Sequence, residues 1–500
     1  MPGCIVPIGE ERYSGSSKIE ITVYLIKTGK NTLTGNSFFI FIIRFFPSLA
    51  NLLVMIWYAR NLSGDVYGHY QNFWVALYVI SSLICLGIHV LIITYSPAFV
   101  VKLLKNVTAG QYALYVAWGI ILSSLFALLQ YRYVHLSFIV SFVFLLCFAF
   151  AVLLESFLIV FGNYKSLVVI NILYSALYVA IHAYVLHTGF SLQAIFIYLL
   201  GLMVVRLAVY LGLAFKNIRG TVIAEQAEEF APGQIRSLWL HLGFYDMLQV
   251  LFSYTDKFVI SLLLSAQVFA VYFNGSQNIP FLPLLISAAG SAVLIQLSRV
   301  NREQEHADTI SLMNQVGRML SCIVFPVFFF LFFFRNEFIL AVFTDKYIQA
   351  VPVFMVSILV LPVRAYHFTT VLQRMHKGAI INIGAIGDLL LACLLMYPLY
   401  KWMGLPGVAL SFVISTYLQA SFYLLYTARL MKVSPLALVP YANWLVKLIV
   451  FGLLFIVIHY LAACYFTVQI SLLLGGIMMV CLMGASLLIE FSKQRKYGRS

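Results

Sequence analysis

Apolar runs of about twenty residues, each closed by a short polar break, succeed one another along the chain from residue 37 to residue 488. A bilayer core about 30 Å thick is crossed by roughly 20 apolar residues in helical conformation, so each run predicts one span. Six lie in the first half: Ser37 to Ala59, Phe73 to Tyr95, Tyr112 to Leu129, Leu136 to Ile159, Leu167 to Leu186 and Leu192 to Phe215. Eight follow: Leu238 to Leu262, Phe269 to Leu294, Leu320 to Phe343, Ile348 to Leu372, Ala379 to Tyr400, Val408 to Tyr426, Leu445 to Ala463 and Val468 to Leu488. The pattern predicts an all-α polytopic membrane protein of 14 transmembrane helices, because a lipid-exposed chain must satisfy its backbone within each span.

Composition agrees with the pattern: 63% of residues are hydrophobic and 10% charged, with a mean hydropathy of +0.97. The formal charge of +14 does not indicate nucleic acid, since the basic residues cluster in breaks between apolar runs. Those clusters set the topology. One set of alternate loops and tails carries 21 Lys and Arg, the other only Arg60, Arg132, Lys346 and Lys401. Positive loops stay cytoplasmic, so both termini are expected on that side. Residues 1–36 lack the apolar core of a signal peptide and read as a cytoplasmic tail. No outer loop exceeds about a dozen residues by these cuts, which leaves no room for an outer catalytic domain. The seven Cys are scattered without a CxxC pair, so neither a disulfide framework nor a zinc site is expected.

An internal repeat organises the spans. Leu62-Ser63-Gly64-Asp65-Val66-Tyr67-Gly68-His69-Tyr70 recurs as Leu264-Ser265-Ala266-Gln267-Val268-Phe269-Ala270-Val271-Tyr272, offset by 202 residues. Both copies follow helices of the same orientation, which predicts two parallel-repeat six-helix bundles. The expected divisions are tail 1–36, bundle 37–215, linker 216–237, bundle 238–428, two extra helices in 429–490 and a basic tail 491–500. The LSxxxYGxY exit, the run Tyr254-Thr255-Asp256-Lys257-Phe258-Val259-Ile260-Ser261 and the run from Leu405 to Thr416 together resemble the polysaccharide-exporter branch of the MOP superfamily. Its members are Wzx-type flippases, related to the MATE exporters. The resemblance covers about 31–432 and implies a non-enzymatic flippase in the bacterial inner membrane. Its partner would be an undecaprenyl-diphosphate-linked oligosaccharide destined for O-antigen, capsule or exopolysaccharide. A polysaccharide polymerase and a chain-length regulator are further candidate partners.

Ionised side chains at mid-bilayer cost about 2.5 to 3.5 kcal/mol on insertion scales and usually face a bundle interior or a hydrated cavity. Arg206, Arg364 and Asp388 are placed near the midplane, and Arg44 and Asp246 in the inner halves of their spans. Arg44 and Asp246 correspond through the 202-residue offset and could face each other across a central cleft. Arg44, Arg206 and Arg364 are the candidate substrate-binding residues, since a guanidinium can grip a diphosphate with two hydrogen bonds. The alternative for each is a pairing with Asp or helix carbonyls that locks the bundle. Asp246, Asp388 and His367 are candidates for carrying a coupling ion, H⁺ or Na⁺; no other cofactor or metal is expected. His367 would lie one helical turn from Arg364, whereas the other membrane histidines His89, His182 and His241 are expected to make interhelical hydrogen bonds. Asp256 and Lys257 are expected to snorkel to the outer interface. Pro47, Pro280 and Pro362 are hinge candidates, because proline removes a helical hydrogen bond. Two other readings stay open: a MATE-like ion-coupled exporter of small organic molecules, and a membrane-embedded polysaccharide polymerase or sugar acyltransferase.

Overall fold

The computed structural model describes residues 17–220, 232–277 and 305–497, and these residues form helices joined by short turns. The first half comprises α1 (Ser17–Asn61), α2 (Gly64–Cys85), α3 (Ile88–Ile93), α4 (Pro97–Asn106), α5 (Ala109–Tyr133), α6 (Phe138–Val160), α7 (Tyr164–His187) and α8 (Leu192–Gly220). The second begins with α9 (Pro232–Leu263), α10 (Ala266–Gly275), α11 (Glu305–Phe333) and α12 (Arg335–Phe343). It continues with α13 (Val351–Ser357), α14 (Thr370–Arg374), α15 (Gly378–Met403), α16 (Leu405–Met431), α17 (Pro435–Leu438), α18 (Tyr441–Tyr465) and α19 (Val468–Tyr497).

Eleven helical segments among the described residues are long and apolar enough to cross a membrane. Three of the fourteen expected spans fall outside that set. Helices α2 and α9 are long, but α2 carries a polar first turn and α9 the charges Asp246, Asp256 and Lys257. Helix α10 leads into residues outside the description, where Pro280 and Pro283 also lie.

Several predicted boundaries change. The expected tail is helical from Ser17, and α1 runs unbroken past Pro47. The second span breaks at Leu86 and Gly87, both with left-handed backbone, before α3 resumes. The ninth is divided at Phe334 between α11 and α12. The tenth is no continuous helix: a 3₁₀ turn over Asp345–Ala350, α13, and two short 3₁₀ turns ending at Ala365 precede an extended Tyr366. Pro362 opens the last of these turns. Extended backbone at Tyr366 removes the shared helical face expected of Arg364 and His367.

The sequence repeat is visible as structure. Ser63 and Ser265 are equivalent N-caps, their hydroxyls accepting from Val66 N at 3.3 Å and Val268 N at 3.4 Å, which satisfies one orphan amide of each helix. The two copies then pack against each other. A Cβ on Gly68 would lie 2.0 Å from the Ala266 carbonyl oxygen, so only glycine allows this crossing. The Tyr67 hydroxyl donates to Asn274 Oδ1 across it at 2.8 Å. Further along, the Tyr78 and Tyr254 rings stack at 5.1 Å between α2 and α9. Near the break after α2, the two backbones touch at Gly87 and Gly243, and Trp239 Nε1 donates to Leu86 O at 2.8 Å. The halves therefore meet along α2, α3, α9 and α10.

The last two helices pack on α11 through a buried charge. Lys447 donates to Arg318 O at 2.7 Å and Ser321 Oγ at 3.0 Å, and pairs with Glu490 at 3.3 Å. Asn443 also donates to Glu490, at 2.9 Å.

Candidate functional site

Each half encloses its own polar cluster. In the first, Arg206 of α8 donates to Glu155 Oε2 of α6 and to Asn171 Oδ1 of α7, each at 2.7 Å. Tyr210 donates to the same carboxylate oxygen at 2.9 Å, and the guanidinium lies 4.4 Å from the Tyr174 ring centre. The side chains of Arg206 and Glu155 are 13% and 22% exposed. Arg206, expected near the midplane as a substrate-binding residue, is thus held by Glu155, Asn171 and Tyr210 within one bundle, which is the locking pairing that the sequence left as the alternative. The signal that could have revealed it is Glu155, a carboxylate within the most apolar of the eleven spans.

A hydrogen-bonded loop extends the first cluster. His182 Nδ1 lies 2.7 Å from the Tyr178 carbonyl, which can only accept, so Nδ1 carries the proton. Nε2 of the neutral ring then accepts from the Tyr70 hydroxyl at 2.8 Å, and Tyr178 donates to Tyr70 at 3.1 Å. Tyr70 is the last residue of the first repeat copy.

Its counterpart in the second copy, Tyr272, donates to Asp256 Oδ2 at 2.7 Å. Asp256 and Lys257 are each 5% exposed, and the Lys257 ammonium lies 3.4 Å from both carboxylate oxygens. Snorkelling is thereby excluded for this pair: the residues are turned into the second half, where α9, α10 and α16 surround them. They line a cavity of about 100 Å³ together with Ser276, Ser357, Arg364 and Thr416. The buried hydroxyls of Ser276 and Thr416 have no hydrogen-bond partner among the described residues. Two cations thus meet one carboxylate in a space with room for about three waters.

Arg364 is exposed and makes no ion pair with another described residue. It lies within electrostatic range of Asp388 and Tyr245. Asp388, on α15, is 5% exposed, and its Oδ1 has no hydrogen-bond partner among the described residues. The structure therefore brings Arg364 and Asp388 into one region, as two of the candidates placed near the midplane.

The correspondence of Arg44 and Asp246 does not become a contact. Asp246 Oδ2 instead meets His89 Nε2 of α3 at 3.1 Å, across the junction of the halves. Arg44 is exposed on α1, and its guanidinium makes no ion pair with another described residue. His367 sits in the non-helical stretch between Ala365 and α14.

Paired helical halves around buried charges define a multi-pass membrane protein with the fold of the MOP-superfamily transporters. More narrowly, the chain belongs to the family described as polysaccharide biosynthesis protein, which matches residues 58–352. No curated protein matches the chain. Among solved structures, it is similar to the lipid II flippase MurJ in an inward closed conformation. The TM-score is 0.58 at 16% identity, over 88% of this chain and 97% of that one. It is also similar to an inward-facing multidrug resistance MATE family transporter of the MOP superfamily, with a TM-score of 0.55 at 15% identity, over 77% and 94% of the two chains. A third is a MOP-superfamily transporter from Pyrococcus furiosus with a binding pocket of reverse polarity, at a TM-score of 0.54 and 15% identity, over 79% and 94%.

Proposed function

We propose that this protein is a flippase that moves a diphosphate-linked oligosaccharide lipid across the bacterial inner membrane by alternating access. The tail of the carrier stays in the bilayer while the charged head and sugars pass between the halves. Family membership supports a role in polysaccharide assembly. The observation that carries the substrate class is Arg364, an exposed guanidinium with no ion-pair partner among the described residues, at the cavity it shares with the Asp256–Lys257 pair. An accessible guanidinium favours an anionic head over the organic cations of a MATE-like exporter. Arg44 is the second accessible arginine, and Arg206 drops out of the binding set because Glu155 neutralises it. Asp388 remains the candidate for a coupling ion, H⁺ or Na⁺.

The test is flipping of a fluorescent undecaprenyl-diphosphate oligosaccharide in vesicles reconstituted with the protein. Arg364→Gln is expected to cut the initial rate by about tenfold or more, since a charged hydrogen bond is worth about 1.5–3 kcal/mol. Arg364→Lys should recover part of it. An unchanged rate for Arg364→Gln would remove the substrate role, and transport of an organic cation instead would move the protein to the exporter reading.

A further inference from the structure

A second, much larger cavity of about 710 Å³ opens on the first half beside the junction with α9. Its walls include Leu91, Val100, Val116 and Phe157 from the first half, and Ile235 and Trp239 from the second. Three of the polar tips among its aromatic residues turn to backbone: Tyr112 donates to Leu104 O at 2.8 Å, Tyr115 to Ile84 O at 3.1 Å and Trp239 to Leu86 O at 2.8 Å. Apart from Tyr95, Gln111 and Arg236, the rest of the wall offers an occupant hydrocarbon. Water is poorly held in a space with so few polar partners, and one of this size lies well within the range of roughly 300–1,000 Å³ typical of ligand sites.

Charge marks one end of the cavity. Arg236 is the charged residue of the lining; it is exposed and makes no ion pair with another described residue. Exposed Lys105 directly follows Leu104, another wall residue. An apolar chamber with a cationic rim fits an amphiphile that has a hydrocarbon chain and an anionic phosphate head, which a guanidinium can grip with two hydrogen bonds. We propose that this cavity binds one acyl chain of an anionic phospholipid, with the lipid phosphate held at Arg236. Ile88 and Leu91 border His89, while Ile235 and Trp239 lie on the helix that carries Asp246. The lipid is thus seated where the two halves touch, and its presence bears on how they separate. This inference is independent of what the protein transports.

The test is native mass spectrometry of the full chain, delipidated and then offered an equimolar mixture of phosphatidylglycerol and phosphatidylcholine. One phosphatidylglycerol per chain is expected, preferred by about tenfold (about 1.4 kcal/mol), because both lipids carry a phosphate but the quaternary ammonium of phosphatidylcholine cancels its charge and is repelled by the cationic rim. Arg236→Gln, at an exposed position, should abolish the preference. Val116→Trp and Leu104→Trp, which fill the chamber from its rim, should each reduce adducts of both lipids, with thermal midpoints confirming the fold. Equal retention of the two lipids by the unmutated chain would overturn the proposal, as would full retention by both tryptophan variants. Preferential displacement by an equimolar polyprenyl phosphate would also overturn it, assigning the chamber to a carrier lipid. Failure here leaves the transport assay of Arg364→Gln untouched, because the two sites share no residue.

Discussion

Gly68 offers the sharpest test of how the halves are joined. An alanine Cβ at this position would stand 2.0 Å from Ala266 O and 2.6 Å from Ala266 C, whereas ordinary contact begins at 3.4 Å. The crossing of α2 and α10 must therefore open by about 1.4 Å, or one helix must shift along the other. Tyr67 and Asn274, now 2.8 Å apart, would then exceed hydrogen-bond range. Overpacking costs about 1–3 kcal/mol, and loss of one buried hydrogen bond adds about 1 kcal/mol. Gly68→Ala should accordingly destabilise the protein by about 2–4 kcal/mol. Thermal unfolding in detergent, followed by tryptophan fluorescence, would read this. Spin labels on residues 64 and 267 should report a longer separation in the variant. Because the clash is with the Ala266 backbone, Ala266→Gly should not rescue it. An unchanged midpoint and an unchanged label distance would refute the assignment of this glycine as the contact between repeat copies.

Glu155→Gln should be strongly destabilising, approaching the 3–5 kcal/mol of a broken buried pair, somewhat less because both side chains keep partial exposure; denaturation of the purified variant measures it. His89→Ala and Asp246→Asn should be non-additive by about 0.5–1 kcal/mol, since they remove one shared contact between halves; a double-mutant cycle of midpoints checks this, and strict additivity would dismiss the bridge. Lys447→Met should loosen α18 and α19, seen as faster proteolysis near residues 432–441, with partial recovery when Glu490→Gln is added, because the second change removes the stranded buried charge.

Span positions were legible in the sequence because bilayer insertion depends on each segment's own transfer free energy, a local sum. The repeat was equally legible: Ser63 and Ser265 cap their helices through contacts within four residues. Breaks at Leu86, Phe334 and Tyr366 were not, since apolar runs continue through them and only packing against neighbours fixes the left-handed or extended backbone. The same holds for α4, an amphipathic helix in what reads as a loop.

Charge placement divides along that line. That Arg206, Arg364, Asp246 and Asp388 sit inside apolar segments is a property of the chain alone, and so is the net positive balance. Which partner each one meets is decided by tertiary packing, because electrostatic energy depends on separations of a few ångströms between residues far apart in sequence. Glu155 reaches Arg206 across 51 positions, and His89 reaches Asp246 from the other half of the molecule. Asp256 and Lys257 look like surface charges until α10 supplies Tyr272 and α16 closes over them. The sequence by itself determined a membrane-spanning, twofold-repeated helical chain with charges in its spans. Only the folded arrangement decided which of those charges pair with one another and which, such as Arg364, stay exposed without an ion-pair partner among the described residues.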